Sequence, residues 1–204
     1  MKNHIACFAM IFMFVACTQR NTVRGYIEGL SIDTVFVVAV SLENFGNQEP
    51  IQDTILCKNG KFYYTFPDSG TYGLMLSFPQ FFVQNRPAGG LYTPNNSSLS
   101  IFAEPGDKIS FKGDCNSGGL SNVIVSGSKL NQDFTPIQNK TFEIRKNEIE
   151  EEMALEQAMV DKNKEKEDIG WAKRQERVNA RIALYSNYIR SNLDNPLSAF
   201  LLFQ

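Results

Sequence analysis

Histidine is almost missing from this chain. The single residue, His4, lies in a segment predicted to be removed, so the mature protein is expected to contain none. That excludes Ser–His and Cys–His nucleophile pairs and zinc held by histidine. No Cys-x-x-Cys occurs among the four cysteines, so there is no dithiol redox motif. Positive charge is not in surplus either: 20 Lys and Arg stand against 22 Asp and Glu. With no basic face, nucleic acid is not an expected partner. Gly127-Ser128-Lys129 has the wrong order for a P-loop, and Asn122 stands where its first glycine belongs. No cofactor is expected.

What is present begins at the amino terminus. Lys2 is followed by an apolar run, Ile5 to Val15, and then by the small residue Ala16. The run is too short for a permanent membrane span, and the order of charge, apolar segment and small residue is that of a secretory signal. Its end on Cys17 is similar to the lipobox of bacterial lipoproteins, with Phe14 where Leu is usual. The resemblance implies a signal peptide over 1–16, acylation of Cys17 and a lipidated tether over 17–21. Diacylglycerol on Cys17 gives firm anchoring where one chain does not. By the sorting rules of such lipoproteins, Thr18 after the cysteine implies the outer membrane. The lack of an acidic run in Thr18 to Thr22 implies a body facing the periplasm. Cys7 leaves with the signal, so Cys57 and Cys115 remain. They either pair, as an oxidising compartment allows, or serve separately as a small core residue and a loop residue, the preferred reading.

From 22 to 127 the pattern has period two, interrupted by turn residues at roughly eight- to twelve-residue intervals. Strands are expected over Val23 to Leu30, Thr34 to Val40 (β-branched, buried on both faces), Ile51 to Cys57, Lys61 to Phe66, Gly70 to Phe78, Ser98 to Ala103, Lys108 to Lys112 and Asn122 to Val125. Asn59-Gly60 predicts a type I′ hairpin that sets Phe62, Tyr64 and Phe66 on one face. Pro105-Gly106 predicts a second hairpin. The stretch from Phe78 to Ser98 has no convincing period and reads as a long loop. Its Phe81, Phe82 and Tyr92 are candidate stacking residues for a sugar or a partner. The competing, preferred reading continues a strand through Phe81 to Val83 and leaves Arg86 to Asn96 free.

At Gly127 the composition changes. Ser128 is a plausible N-cap, and Leu130, Phe134, Ile137, Thr141 and Ile144 form one apolar helical stripe. It fades into the charged segment Glu148 to Asp168. A second helix is expected over Trp171 to Ser191, with Trp171, Val178, Ile182, Tyr185 and Ile189 inward and the joint at Ile169-Gly170. Asn195-Pro196 starts a short apolar helix reading as the start of a longer element. The expected fold class is mainly β with α: an antiparallel β-sandwich-like module over 22–127, then an antiparallel α-helical hairpin with the start of a further helix over 128–204.

That order resembles Bacteroidetes-type lipoproteins in which a domain of unknown function precedes a TlpA-like thioredoxin module. Gly25–Leu30, Asp53–Phe62, Glu104–Ile109, Val125–Asn131 and Asn195–Phe200 carry the resemblance through their order and spacing. It implies a membrane-tethered module that docks or positions a thioredoxin-like thiol–disulfide oxidoreductase, as a partner or as a further domain. The family's Trp-Cys-x-x-Cys has no counterpart here, so no catalytic residue carries over and the chain is expected not to be an enzyme itself. The alternative is a glycan- or peptide-binding lipoprotein using the 78–96 loop.

Other chemistry ranks lower. Glu148, Glu152 and Glu156 share a helix face, which reads as solvated and not as a cation site. Glu104, Asp107 and Asp114 sit at turns, where local hydrogen bonding explains them better than glycoside cleavage. Asp33-Thr34 and Asp53-Thr54 resemble Bacteroidetes O-glycan acceptors, so Thr34 and Thr54 are possible O-glycosylation sites.

Overall fold

A computed structural model describes residues 21–44, 46–66, 70–116 and 119–202. The expected signal peptide and the expected acylation site at Cys17 lie outside them. Strands β1 (Thr22–Glu28), β2 (Thr34–Ser41), β3 (Ile51–Leu56), β4 (Lys61–Thr65), β5 (Tyr72–Ser77), β6 (Ser98–Ala103), β7 (Lys108–Asp114) and β8 (Ile124–Ser126) form two four-stranded sheets. One runs β4-β1-β7-β8 and the other β3-β2-β5-β6. Every pairing is antiparallel except β1 with β7, which is parallel.

Both expected turns form, but neither closes a hairpin. Asn59 and Gly60 take φ of 51° and 73°, and Lys58 and Lys61 exchange N–H···O bonds of 2.8 and 3.0 Å. At the second turn the Asp107 N–H donates to the Glu104 carbonyl at 3.0 Å. Beyond each turn the strands part into opposite sheets. A tight turn dictates only the first cross-strand pair; the longer ladders of β4 with β1 and β7 with β1 decide the rest.

Alternation explains the core. Phe62 and Tyr64 of β4, and Phe66 directly after it, point to one buried face, as expected. They meet Val35, Val37, Leu74, Leu76, Leu99 and Ile101 from the facing sheet. β2 is buried on one face only, since Phe36 on its other face is exposed.

The helical layer covers one part of the outer face of the second sheet, around Gly73 of β5 and Phe102 of β6. Helix α1 (Lys129–Ile144) buries Leu130, Phe134 and Ile137 against Phe102 of β6, together with Leu197, Phe200 and Leu201 of α4 (Pro196–Leu201). The Phe102 ring meets Phe134 and Phe200 edge-on, each at 4.9 Å. Strand β6 is a sheet edge, and the Asn131 amide finishes it. The Phe102 N–H donates to Asn131 Oδ1 at 2.8 Å, and Asn131 Nδ2 donates to the Phe102 carbonyl at 2.6 Å. Ser128 precedes α1 but makes no side-chain cap bond.

The hairpin consists of α2 (Glu148–Val160) and α3 (Lys164–Ser191), joined through Asp161–Asn163, where Lys162 has φ 55° and Asn163 Oδ1 accepts from the Lys166 N–H at 3.1 Å. The expected joint at Ile169-Gly170 is therefore corrected. Gly170 lies inside α3, where a Cβ would come within 2.8 Å of Leu155 Cδ1; it permits close helix approach and makes no turn. The expected inward set changes too: Trp171 and Ile182 are exposed, while Leu184, Tyr185, Tyr188 and Ile189 pack on the second core. No helix among the described residues is long and apolar enough to cross a membrane.

Replacing Asn131 by Ala strands two buried backbone groups of Phe102. At about 1–3 kcal/mol for each of two unsatisfied buried groups, the expected loss in urea unfolding is about 2–6 kcal/mol. A change within ~0.5 kcal/mol, the usual scatter of surface substitutions, would show that the amide is dispensable.

Candidate functional site

The loop that follows β5 is neither a strand continuation nor free. Pro79–Phe81 forms one 3-10 turn, and Gln80 ties it to the strand ends by accepting from the Ser31 N–H at 2.7 Å and donating to the Gly29 carbonyl at 3.0 Å. Val83 and Tyr92 then exchange two N–H···O bonds of 2.9 Å, closing the loop on itself. Within it, the Arg86 guanidinium donates to the Leu91 carbonyl at 3.3 Å, lies over the Tyr92 ring at 5.6 Å and forms a two-point ion pair with Glu156 of α2. Asn96 Nδ2 donates to the Arg145 carbonyl at 3.2 Å. The loop is clamped to the helices at both ends.

The three candidate aromatic residues are separated. Phe81 packs against the sandwich core and lines a cavity of about 530 Å³ with Phe142 and Ile149. Tyr92 lines a different cavity, of about 260 Å³, at the junction of loop, α2 and α3. Phe82 is half-buried and is not a lining residue of either. Thr34 is half-buried at the start of β2, and Thr54 is exposed on the edge strand β3, its N–H donating to Asp53 Oδ1 at 2.7 Å. Cys57 and Cys115 are both buried free thiols. Burial pushes both thiols up, and Cys115 Sγ donates to the Glu28 carbonyl at 3.1 Å. Asp107 and Asp114 each accept a backbone N–H within their own turns.

Glu148, Glu152 and Glu156 do share a face, but it is not solvated. Arginines of α3 and of the loop cover it. Arg177 reaches both Glu151 and Glu152, the latter at 2.5 Å, and Arg174 stands 3.7 Å from Glu152. Arg174 also lies over the Trp171 ring at 5.2 Å. Arg145 and Arg181 complete the positive wall of the smaller cavity. Burial pushes the Tyr92 hydroxyl up to about 12, with Glu148 and Glu152 adding to the effect. Burial also raises the Glu152 carboxyl, against the pull of Arg174, whereas the hydrogen bond from Arg86 holds Glu156 below the usual carboxylate range.

These arginines were not candidates in the sequence, although Arg174, Arg177 and Arg181 recur at three- and four-residue spacing opposite the glutamate stripe. That complementarity was the available signal. Comparison with protein-family models, with curated proteins and with solved structures gives no match.

A carboxylate held low stabilises above its ordinary value, about 4.3, and stops doing so as pH falls through the lowered one. The loop is therefore expected to stay clamped through neutral pH and to release only once pH falls below the ordinary carboxylate range. Glu156→Gln should release it at pH 7. Hydrogen exchange at residues 84–91 reads both effects: faster exchange with a nearly unchanged melting temperature is expected, and unchanged exchange would contradict the clamp.

Proposed function

We propose that this chain is a non-catalytic recognition module of the bacterial cell envelope, tethered to the outer membrane through acylated Cys17 and facing the periplasm. Its helical hairpin docks a thioredoxin-like thiol–disulfide oxidoreductase, as a separate partner or as a further domain. One observation carries the docking role. Beside the α2–α3 turn, Leu155, Met159, Val160 and Trp171 line a cavity of about 420 Å³, rimmed by Arg86, Glu156 and Arg174. Met159 is 50% exposed, Val160 52% and Trp171 42%. A Met and Trp centre inside a rim of arginine and carboxylate has the composition of a protein interface. The resemblance of the chain to lipoproteins that precede TlpA-like modules supports the class of partner, and the leader supports the tether.

A second reading, the loop as a glycan or peptide site, is favoured by one contact: Tyr92 walls the cavity between loop and helices.

Calorimetric titration with a TlpA-like thioredoxin module tests the docking. Trp171→Ala is expected to weaken binding by at least about tenfold, as for an interface anchor, because Trp171 supplies the aromatic surface and not the fold. Equal affinity for wild type and variant, or no binding by either, would contradict it.

A further inference from the structure

The cavity walled by Tyr92 has a charge balance that the surrounding ion pairs do not close. Arg86 is matched by Glu156, and Arg174 and Arg177 by Glu151 and Glu152. Arg145 and Arg181 remain, with Glu148 beside them. Among the described residues neither guanidinium takes part in an ion pair. Two cations therefore face one carboxylate in a recess of about 260 Å³, in a chain whose net charge is −2. The Arg145 guanidinium is held below its usual range by burial, which outweighs the attraction of Glu148, and the like charge of Arg181 adds a smaller push in the same direction as burial. An anion placed between the two would relieve that repulsion.

We propose that this recess binds a small ligand through an oxyanion, carboxylate or phosphate, held between Arg145 and Arg181 with the Tyr92 hydroxyl as a further donor; this rests on the second reading, ligand binding at the loop. Guanidinium presents its N–H groups in a planar fork that matches both kinds of oxyanion. Tyr92 keeps its proton throughout the physiological range, so it faces the ligand as a donor. The recess is smaller than the roughly 300–1,000 Å³ of sites for drug-sized ligands. It suits a single acidic sugar or sugar phosphate and not a polymer.

Trp171 is the only tryptophan of the chain and carries Arg174, which lines the recess, on its ring. Its fluorescence therefore reports occupancy. The protein is titrated with D-glucuronate, D-glucose 6-phosphate and neutral D-glucose, followed by Trp171 emission and by calorimetry. Saturation by at least one anion, at least about tenfold tighter than glucose, is expected. Arg181→Gln should remove that preference at an unchanged melting temperature, and Tyr92→Phe should weaken binding independently. Saturation by glucuronate alone assigns a carboxylate ligand, and saturation by the phosphate alone a phosphate ester. Binding of glucose as tight as that of the anions overturns the oxyanion assignment but leaves the loop as a ligand site. No saturation by any of the three up to about 10 mM, weaker than the millimolar end of the affinity scale, overturns both, and an anion affinity unmoved in both variants overturns the assignment to this recess.

Discussion

The backbone of Phe102 is where the sandwich stops and the helices begin. Strand β6 is an edge, and an unpaired edge invites another chain. The Asn131 side chain offers one donor and one acceptor to the Phe102 N–H and carbonyl, in the manner of a further strand cut to one residue. That contact fixes the start of α1. The Phe102 ring then turns outward between Phe134 and Phe200, which places α4, and α1 and α4 together give the last turns of α3 a surface at Leu184, Tyr185 and Tyr188. The direction of the hairpin follows from there, and so does the position of the recess.

A second constraint is electrostatic. The hairpin carries acid on α2 and base on α3, and the loop carries Arg86, so helix and loop are drawn together by ion pairs beside the buried Leu155 and Ala158. None of the 28 residues of α3 is fully buried. Its apolar side chains near the turn are left outward, which suits a surface made to be covered. Charged groups that are partly shielded hold register and orientation better than they add stability. The sandwich supplies the stability; the ion-pair layer shapes what is presented.

Much of this was legible in the sequence. Period two located all eight strands to within a few residues, because alternating burial acts on each strand separately. The Asn59-Gly60 and Pro105-Gly106 turns were legible for the same reason: their backbone demands are local. Which sheet each strand joins was not legible, since β4 and β7 find their partner in β1, far away in the chain. The hairpin joint was misplaced because Gly170 looks like punctuation, whereas its task is to let Leu155 approach. The site was partly legible. Tyr92 belongs to it, but Phe81 is spent on the core, and the arginines that complete it gain meaning only opposite the glutamate stripe.

On the proposed reading, a sandwich, a helical layer keyed to its edge and the expected leader ending in Cys17 join into a module that holds and recognises. Hydrogen exchange of the chain alone and with a TlpA-like thioredoxin module bound tests that account most directly. It predicts slowed exchange over Met159 to Trp171, with the sandwich strands unchanged. Slowing confined to the sandwich, or none anywhere, would contradict it.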